Sequence, residues 1–426
     1  MQRLFVFLFL ILFASSYDIE VSSATSGLSK DKALLDKIEA ARGLVGRESV
    51  QMIKGVVGTR KVRVGRRKYK EVQVTGIVGR EMAIAIMDGD GSIKVARGIK
   101  RDKGLDVLTE GVVLHVRRDN GINSDIAVIS PRGGKVLAVK YPVSNEGERF
   151  GPGGEVIEAV YTPYSPDIHT RAVVEEGIAV QSEFIDKAYA VLKRRGVTSH
   201  AFPGRDVADV IPKGVLTVLL MNEHIDPGVF KTEGLTRGLV EQVLTILGTN
   251  GVKAYAYSIS SAGARGLVQM IPSTYRLLAR KYPGAGLRPD FALGMVDVVN
   301  AIVAQVLLCD ADWESMLKVS DLKADEVGPY LAAAYNGGVG RVISILRQGE
   351  TDWMESPESG SNPSITVTRR VPVRVKTGRG RARTRYVLKS YTQPVFRSET
   401  SKYVRQYHWI NDYFVARGDG EEGKRD

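Results

Sequence analysis

The chain has very little cysteine and histidine. Its one cysteine, Cys309, excludes an intramolecular disulfide, and the apolar residues before it predict a small buried side chain. The histidines do not recur at the short intervals from which several side chains ligate one metal ion. We therefore predict no metal site and no cofactor. The five histidines are His115, His169, His200, His224 and His408.

A long apolar run is also absent. One short run, residues 4–14, follows Arg3 and precedes small and polar residues, and it is too short to cross a bilayer comfortably. A charged start, an apolar core and candidate cleavage sites near Ser16 and Ala24 form the pattern of an export signal. We predict a signal peptide over residues 1–24, although an uncleaved anchor stays open. The protein is then exported to the periplasm or cell envelope, with no further transmembrane span.

The composition is that of a folded protein with an excess of basic residues. Hydrophobic residues make up 43% of the 426 and charged residues 25%, which excludes a chain disordered throughout. The formal net charge of +12 allows two classes of anionic partner, nucleic acid and a cell-wall polymer. Because an exported protein does not habitually meet nucleic acid, we predict the wall polymer as the partner.

The periodicity of apolar residues changes along the chain and predicts an α+β protein of several domains. A helical lead-in, residues 25–52, precedes a β-rich accessory module, residues 53–165, with short alternating strands and hairpin turns near Asp88 and Asn120. No motif assigns a function to this module, and we expect an envelope protein partner, if there is one, to bind there. A mainly helical domain and a charged tail follow, at residues 166–416 and 417–426. The helices are predicted at residues 30–45, 173–195, 207–224, 238–247 and 297–308.

One acidic residue follows an apolar helix. Helical periodicity places Leu216, Leu219 and Leu220 on one stripe, and Glu223 continues that stripe. A carboxyl group held against leucine side chains is desolvated, which raises its pKa towards the range that a general acid needs near neutral pH. The alternative is a partly exposed glutamate at a helix end beside His224, and the spacing alone does not decide between them.

Two further segments carry polar residues among small and apolar ones. Gly263 and Gly266 predict a tight turn that leads into an apolar stretch, where Gln269 places one amide. A sugar hydroxyl or acetamido group would satisfy that amide, and so would nearby backbone. Further along, small residues before Tyr335 predict a tightly packed helix that ends at a glycine cap, with a side chain able to stack on sugar.

The ordered motifs resemble those of the soluble lytic transglycosylases and their lysozyme-like relatives. After Glu223 come S-x-x-G-A-x-G-L-x-Q-x-x-P-x-T at residues 260–274, A-Y-N-x-G at 334–338 and E-T-x-x-Y-V at 399–404. The resemblance covers roughly the C-terminal half of the chain. It implies a mainly α, lysozyme-like catalytic domain and cleavage of the bond between N-acetylmuramic acid and N-acetylglucosamine in peptidoglycan.

The resemblance also implies a reaction and a role for each motif residue. One glutamate protonates the bridging oxygen and then acts as base, so that the muramyl 6-hydroxyl closes a 1,6-anhydro ring without water. Glu223 takes that role in this chain, and a second carboxylate is not required. Ser260 would position the acid or the substrate. The other predicted substrate-binding residues are Gln269, Met270, Tyr335, Asn336 and Tyr403.

The chain departs from the family pattern around the acid. His224 stands where the family has serine, and the acid is separated from Ser260 by a longer interval, which contains an extra predicted helix. Two other acids lie in that interval, Glu233 in a loop and Glu241 on what we predict to be the exposed side of the extra helix. Neither follows an apolar helix, so Glu223 is the predicted acid.

A basic insertion interrupts the helical domain. Residues 362–396 alternate arginine and valine around two glycines and predict a β-hairpin. The hairpin would either keep the protein soluble or attract the anionic wall and the carboxylates of its peptide stems. The sequence as a whole predicts an exported peptidoglycan lytic transglycosylase. The alternatives are a goose-type lysozyme hydrolase on the same fold and a non-catalytic protein that binds or scaffolds the cell wall.

Overall fold

The β-rich part of the chain precedes the helical part, and the fold class is α+β, as predicted. A computed structural model describes residues 33–65, 68–101, 104–144, 156–225, 236–349, 354, 364–377, 381–396 and 398–422. The predicted signal peptide lies outside these residues. None of the described helices is long and apolar enough to cross a membrane.

The described residues of the N-terminal part form one α-helix and eight strands. Helix α1 spans residues 33–46, close to the helix predicted at residues 30–45. The strands are β1 (Met52–Arg63), β2 (Tyr69–Met87), β3 (Ile93–Lys100), β4 (Leu105–Val107), β5 (Val113–Arg118), β6 (Asp125–Ser130), β7 (Lys135–Ser144) and β8 (Val156–Tyr161).

One long strand organises the sheet. The strand order is β4-β3-β2-β7-β8, with β1 paired to β2 and with β5 and β6 forming a separate pair. Strand β2 has 19 residues and is longer than the short strands predicted, because its two halves pair with different strands. The first half forms an exposed ribbon with β1, and the second half is buried between β3 and β7. The predicted turn after Asp88 joins β2 to β3.

The core of this part forms where α1 packs on the sheet. Ile38, Ala41 and Val45 recur at helical spacing on α1 and are buried against sheet residues such as Ala85 and Leu137. Alternate side chains of each strand point to the same face of the sheet. On the face that contacts α1, alanine side chains are small and let the helix approach closely. The helix predicted in the lead-in therefore packs on the β module.

The C-terminal part is helical, apart from one hairpin. The predicted helix at residues 207–224 breaks at Pro212, because the residue before a proline disfavours the helical conformation and Ile211 is extended. The helices are α2 (Arg171–Arg194), α3 (Val207–Val210), α4 (Lys213–Asn222), α5 (Thr236–Asn250), α6 (Pro272–Lys281), α7 (Phe291–Val296), α8 (Val298–Leu317), α9 (Val327–Gly337), α10 (Val339–Gln348) and α11 (Ser398–Glu422). The predicted hairpin is β9 (Ser364–Thr377) and β10 (Arg381–Pro394).

The chain divides into two compact units that alternate along the sequence. The first comprises residues 1–184, 241–269 and 292–298, and the second comprises residues 185–240, 270–291 and 299–426. Helix α11 reaches Glu422 and so includes part of the predicted charged tail. The domain boundary predicted between residues 165 and 166 stays a prediction.

A buried carboxylate organises the loop before α3 in the second unit. Asp310 of α8 is fully buried and accepts hydrogen bonds from the Ser199 hydroxyl, from the His200 backbone N–H at 2.7 Å and from the Tyr282 hydroxyl at 2.8 Å. The Ala201 N–H lies at 3.4 Å. A buried carboxylate is stable only when its lone pairs are satisfied in this way, so Asp310 ties three segments together.

Two glycines let α2 and α5 cross at close range in the first unit. A Cβ atom on Gly177 would fall well inside van der Waals contact with the Leu244 carbonyl oxygen, and one on Gly248 would meet the Val173 carbonyl oxygen. Backbone atoms cannot rotate away as a side chain can. The crossing therefore requires glycine at both positions.

We expect Gly177→Ala to destabilise the protein by about 3 kcal/mol, because the two helices must separate to admit a methyl group. Gly43→Ala is the matched control, since Gly43 lies within α1 and a Cβ there meets nothing within 4 Å. The control should stabilise by about 0.5–1 kcal/mol through helix propensity alone. Urea unfolding followed by circular dichroism measures both, and equal effects of the two substitutions would contradict the close crossing.

Candidate active site

Glu223 lies at the C-terminal end of a buried helix. Leu216, Leu219 and Leu220 of α4 are fully buried, and Glu223 is the C-cap residue, with its backbone N–H donating to the Leu219 carbonyl at 3.2 Å. The residue as a whole keeps partial exposure. The sequence builds this arrangement by ending an apolar helix with a charged residue, so that the carboxyl group stands at the edge of the core.

The Glu223 carboxyl group is held by a tyrosine from α11. The Tyr403 hydroxyl donates a hydrogen bond to Glu223 Oε1 at 2.6 Å. The preceding residue, Asn222, is buried and donates from its side-chain amide to the Tyr403 backbone carbonyl at 3.0 Å. Asn222 and the cap residue Glu223 thus bind the backbone carbonyl and the hydroxyl of one tyrosine, which ties α11 to the end of α4.

Burial raises the pKa of Glu223 to about 7, because desolvation disfavours the charged carboxylate. The hydrogen bond from Tyr403 opposes this shift in pKa, and the negative charge of the exposed Glu399 adds to it. The direction is the one that the leucine stripe predicts. With a pKa near neutrality, the group can both give and take a proton at the pH of the surroundings.

Tyr335 and Asn336 lie at the end of α9, next to the start of α11. Tyr335 is half-buried, and burial raises its pKa well above the ordinary value, with the Glu223 charge as the second cause. Asn336 is exposed and accepts a hydrogen bond from the Thr400 hydroxyl at 2.7 Å. Gly338, with φ of +88°, caps the helix as predicted. The second unit therefore brings Glu223, Tyr403 and Tyr335 together.

Ser260 and Gln269 lie in the first unit and form one loop. The Ser260 hydroxyl accepts the backbone N–H groups of Ala262 and Ala264 at 3.2 and 3.1 Å, and so shapes the predicted tight turn. The Gln269 amide donates to the Gly266 carbonyl at 2.7 Å, so nearby backbone satisfies one of its donors. Gln269 also has φ of +45°, a left-handed conformation that is costly for a residue other than glycine.

Met270 begins a segment of the second unit and is 2% exposed, so in this structure it is a core residue. The roles predicted for Ser260, Gln269 and Met270 in substrate binding stay predictions.

The alternative acids differ from Glu223 in their surroundings. Glu233 lies outside the described residues. The prediction that Glu241 lies on the exposed side of its helix is wrong. Its side chain is 14% exposed, and its carboxylate lies 3.2 Å from His169 Nε2. The other nitrogen of that ring, Nδ1, lies 3.1 Å from the Tyr164 hydroxyl. The contacts with His169 and Tyr164 thus give Glu241 a structural role in the first unit.

A polar stripe on α8 was not singled out from the sequence. Gln305, Cys309 and Asp312 recur at intervals of four and three residues and act on the pKa of Tyr335. Gln305 is fully buried beside Tyr335, and its side-chain amide lowers the pKa of that tyrosine. Burial raises the pKa of Asp312 to about 7, and Lys281 opposes that shift. The signal for this stripe was present as polar residues at helical spacing in an apolar helix.

We expect the stability difference between Glu223→Gln and the wild type to depend on pH. The folded-state pKa of about 7 lies above the ordinary value of 4.5, so the stability linked to the protonated acid is lost as pH rises through 7. Glutamine carries no charge, so the variant should gain on the wild type between about pH 5 and about pH 8. Urea midpoints at both pH values measure this gain. A constant difference would show that the carboxyl group is fully solvated.

The described residues contain no group of three or more histidine, cysteine, aspartate or glutamate side chains placed to hold a metal ion. A comparison of the chain with protein-family models, with curated proteins and with solved structures finds no match.

Proposed function

We propose that this protein is an exported peptidoglycan lytic transglycosylase with a lysozyme-like catalytic domain. It would cleave the β-1,4 bond between N-acetylmuramic acid and N-acetylglucosamine and leave a 1,6-anhydro end. The observation that carries the proposal is the setting of Glu223, a carboxyl group at the end of an apolar helix, bound by the Tyr403 hydroxyl at 2.6 Å and with a pKa of about 7. The ordered motifs at residues 260–274, 334–338 and 399–404 give the proposal its substrate.

In the proposed reaction, protonated Glu223 donates its proton to the bridging oxygen while the bond from that oxygen to the muramyl anomeric carbon breaks. The muramyl 6-hydroxyl oxygen then bonds to the same carbon and gives its proton to the Glu223 carboxylate, which restores the acid. One carboxyl group is enough, because the nucleophile is part of the substrate. A group with a pKa near 7 suits both steps, because near neutral pH it is available both as an acid and as a base.

The tyrosines support this cycle by holding the carboxyl group. The Tyr403 hydroxyl is bound to Glu223 Oε1, so it can stabilise the carboxylate that forms when the proton leaves. Tyr335 offers a half-buried ring face and hydroxyl next to the acid, and exposed Asn336 offers an amide to the glycan. We assign substrate contacts to these two residues, and the roles of Ser260, Gln269 and Met270 stay predictions.

The product distinguishes the proposal from its alternatives. We would incubate the purified protein with peptidoglycan sacculi and identify the soluble fragments by mass spectrometry. Anhydro-muramyl ends are expected. Reducing ends would instead assign a goose-type hydrolase, in which water replaces the 6-hydroxyl. Binding to sacculi without release of any fragment, by a protein with native circular dichroism, would assign a non-catalytic wall-binding protein.

We expect Tyr403→Phe to move the basic limb of the pH–rate profile to higher pH. The phenol hydrogen bond lowers the pKa of Glu223 against desolvation, and its loss leaves desolvation unopposed. The acid therefore stays protonated to a higher pH while the rate at the optimum falls. Fragment release at a series of pH values measures the limb. A lower rate with an unmoved limb would mean that Tyr403 only supports the fold. Tyr407→Phe, on the same helix, is the matched control.

A further inference from the structure

The β9–β10 ribbon is a long exposed element with an unusual combination of side chains. Between Ser364 and Pro394 the sequence contains no acidic residue, and none of the side chains described in this segment is buried. The two strands pair along their whole length, from Ser364 with Pro394 to Thr377 with Arg381. An isolated two-stranded ribbon is marginally stable in water, so a surface that covers it would add to its stability.

One face of the ribbon places apolar and basic side chains side by side. Tyr386 is directly opposite Pro372, and Leu388 is directly opposite Arg370, so alternation puts all four on the same face. The Thr368 and Ser390 hydroxyls, the next opposed pair on this face, lie 2.9 Å apart and support the register. Tyr386 is 62% exposed and Leu388 is 70% exposed.

The exposed Leu388 distinguishes between two classes of anionic partner, a hydrated polyanion and an anionic lipid surface. A hydrated polyanion, such as a phosphodiester polymer or nucleic acid, attracts the arginines but gains nothing from Leu388. At an anionic lipid surface the arginines meet phosphate head groups, the leucine enters the acyl boundary, and tyrosine is favoured at the interface between them. Arg385 and Lys389 are exposed on the other face and would add to the attraction at long range.

We propose that the face of the β9–β10 ribbon formed by Arg370, Pro372, Tyr386 and Leu388 binds an anionic lipid surface. The ribbon lies on that surface and does not cross it. This inference goes beyond the proposed glycan chemistry and does not depend on it. It gives the basic insertion a role other than attraction to the wall polymer. A ribbon bound to the membrane would keep the protein close to the membrane surface.

A fluorescent probe at position 388 tests the contact directly in the full chain. Leu388→Cys would be labelled with an environment-sensitive fluorophore, and labelling is specific because the only native cysteine, Cys309, is buried. Leu108→Cys is the matched control, since Leu108 is 62% exposed and lies in the other unit. The probes report on their own positions, so binding through the apolar N-terminal run does not affect the result.

With vesicles of phosphatidylcholine and phosphatidylglycerol, we expect a blue shift at position 388 and none at position 108. Vesicles of phosphatidylcholine alone should give no shift. Arg370→Gln in the labelled protein should weaken the binding about fivefold, the contribution of one basic residue near an anionic membrane. No shift at position 388, or the same shift at both positions, would overturn the proposal. A response to inorganic polyphosphate without a response to vesicles would assign the ribbon to a hydrated polyanion instead.

Discussion

Replacing Glu223 by glutamine is expected to lower the rate of fragment release from peptidoglycan by about 10³-fold, within the range measured for loss of a general acid. Glutamine has nearly the same shape as glutamate and can still accept the hydrogen bond from the Tyr403 hydroxyl. The amide cannot, however, give a proton to the bridging oxygen or take one from the 6-hydroxyl. The rate should therefore fall while the fold and the affinity for glycan are retained.

The measurement is quantification of soluble muropeptides by mass spectrometry, with binding to sacculi measured in parallel. Glu326→Gln is the control, because Glu326 is an exposed glutamate in the same unit, and its carboxylate accepts a hydrogen bond from the nearby Lys323 backbone N–H. The control should retain wild-type activity. If Glu223→Gln also retained activity, another acid would have to carry the reaction, and the next variant would be Glu233→Gln.

Replacing Asp310 by alanine is expected to destabilise the second unit by about 4 kcal/mol, the cost of leaving buried polar partners without their carboxylate. The Ser199 and Tyr282 hydroxyls and the His200 N–H all donate to this one side chain. Water cannot easily replace the carboxylate, since Asp310 is fully buried. The substitution also leaves a cavity, which adds to the cost.

Urea unfolding followed by tryptophan fluorescence measures the loss, because Trp313 is buried on the same helix as Asp310. Asp310→Asn is the closer variant. It keeps the shape but turns an amide donor towards other donors, so we expect a loss of about 2 kcal/mol. Asp321→Ala, at an exposed position of the same unit, should change the midpoint little. A small effect of Asp310→Ala would mean that the network is not needed for the fold.

Local rules predicted the elements of the fold well. The lead-in helix, the alternating strands with a turn after Asp88, the helix predicted at residues 173–195 and the hairpin predicted at residues 362–396 are all present. The misses have local causes too. Pro212 broke a helix that the apolar pattern made continuous, and β2 runs on because its exposed half pairs with β1 instead of turning.

The division into units could not have been predicted from such patterns. Helices α2 and α5 each contribute residues to both units, and periodicity within a helix does not indicate which partner each turn packs against. The close crossing at Gly177 depends on Leu244, which lies 67 positions further along the chain. Sequence spacing alone does not predict such a contact.

The candidate site was predicted to different depths for different residues. The apolar stripe of α4 indicated a raised pKa for Glu223, and the structure gives the same direction. That Tyr403 lies near Glu223 could be expected only from the motif resemblance, because 180 positions separate the two residues. The role of Asn222 in holding the Tyr403 carbonyl had no sequence signal, since an asparagine before an acid is an ordinary helix end. Its buried position became visible only with the packing of α11 on α4.

The alternation of the two units along the chain has a consequence for synthesis and for dissection. A ribosome that has made residues 1–184 has not yet supplied residues 241–269 and 292–298, which the first unit also needs. The last of those segments ends at residue 298, and by then residues 185–240 and 270–291 of the second unit have been made, whereas residues 299–426 have not. The first unit can therefore complete its fold only after two segments of the second have been made, and the second unit is completed last. For the same reason no single cut releases either one intact, and a gene fragment beginning at residue 185 would encode one unit together with stray pieces of its neighbour.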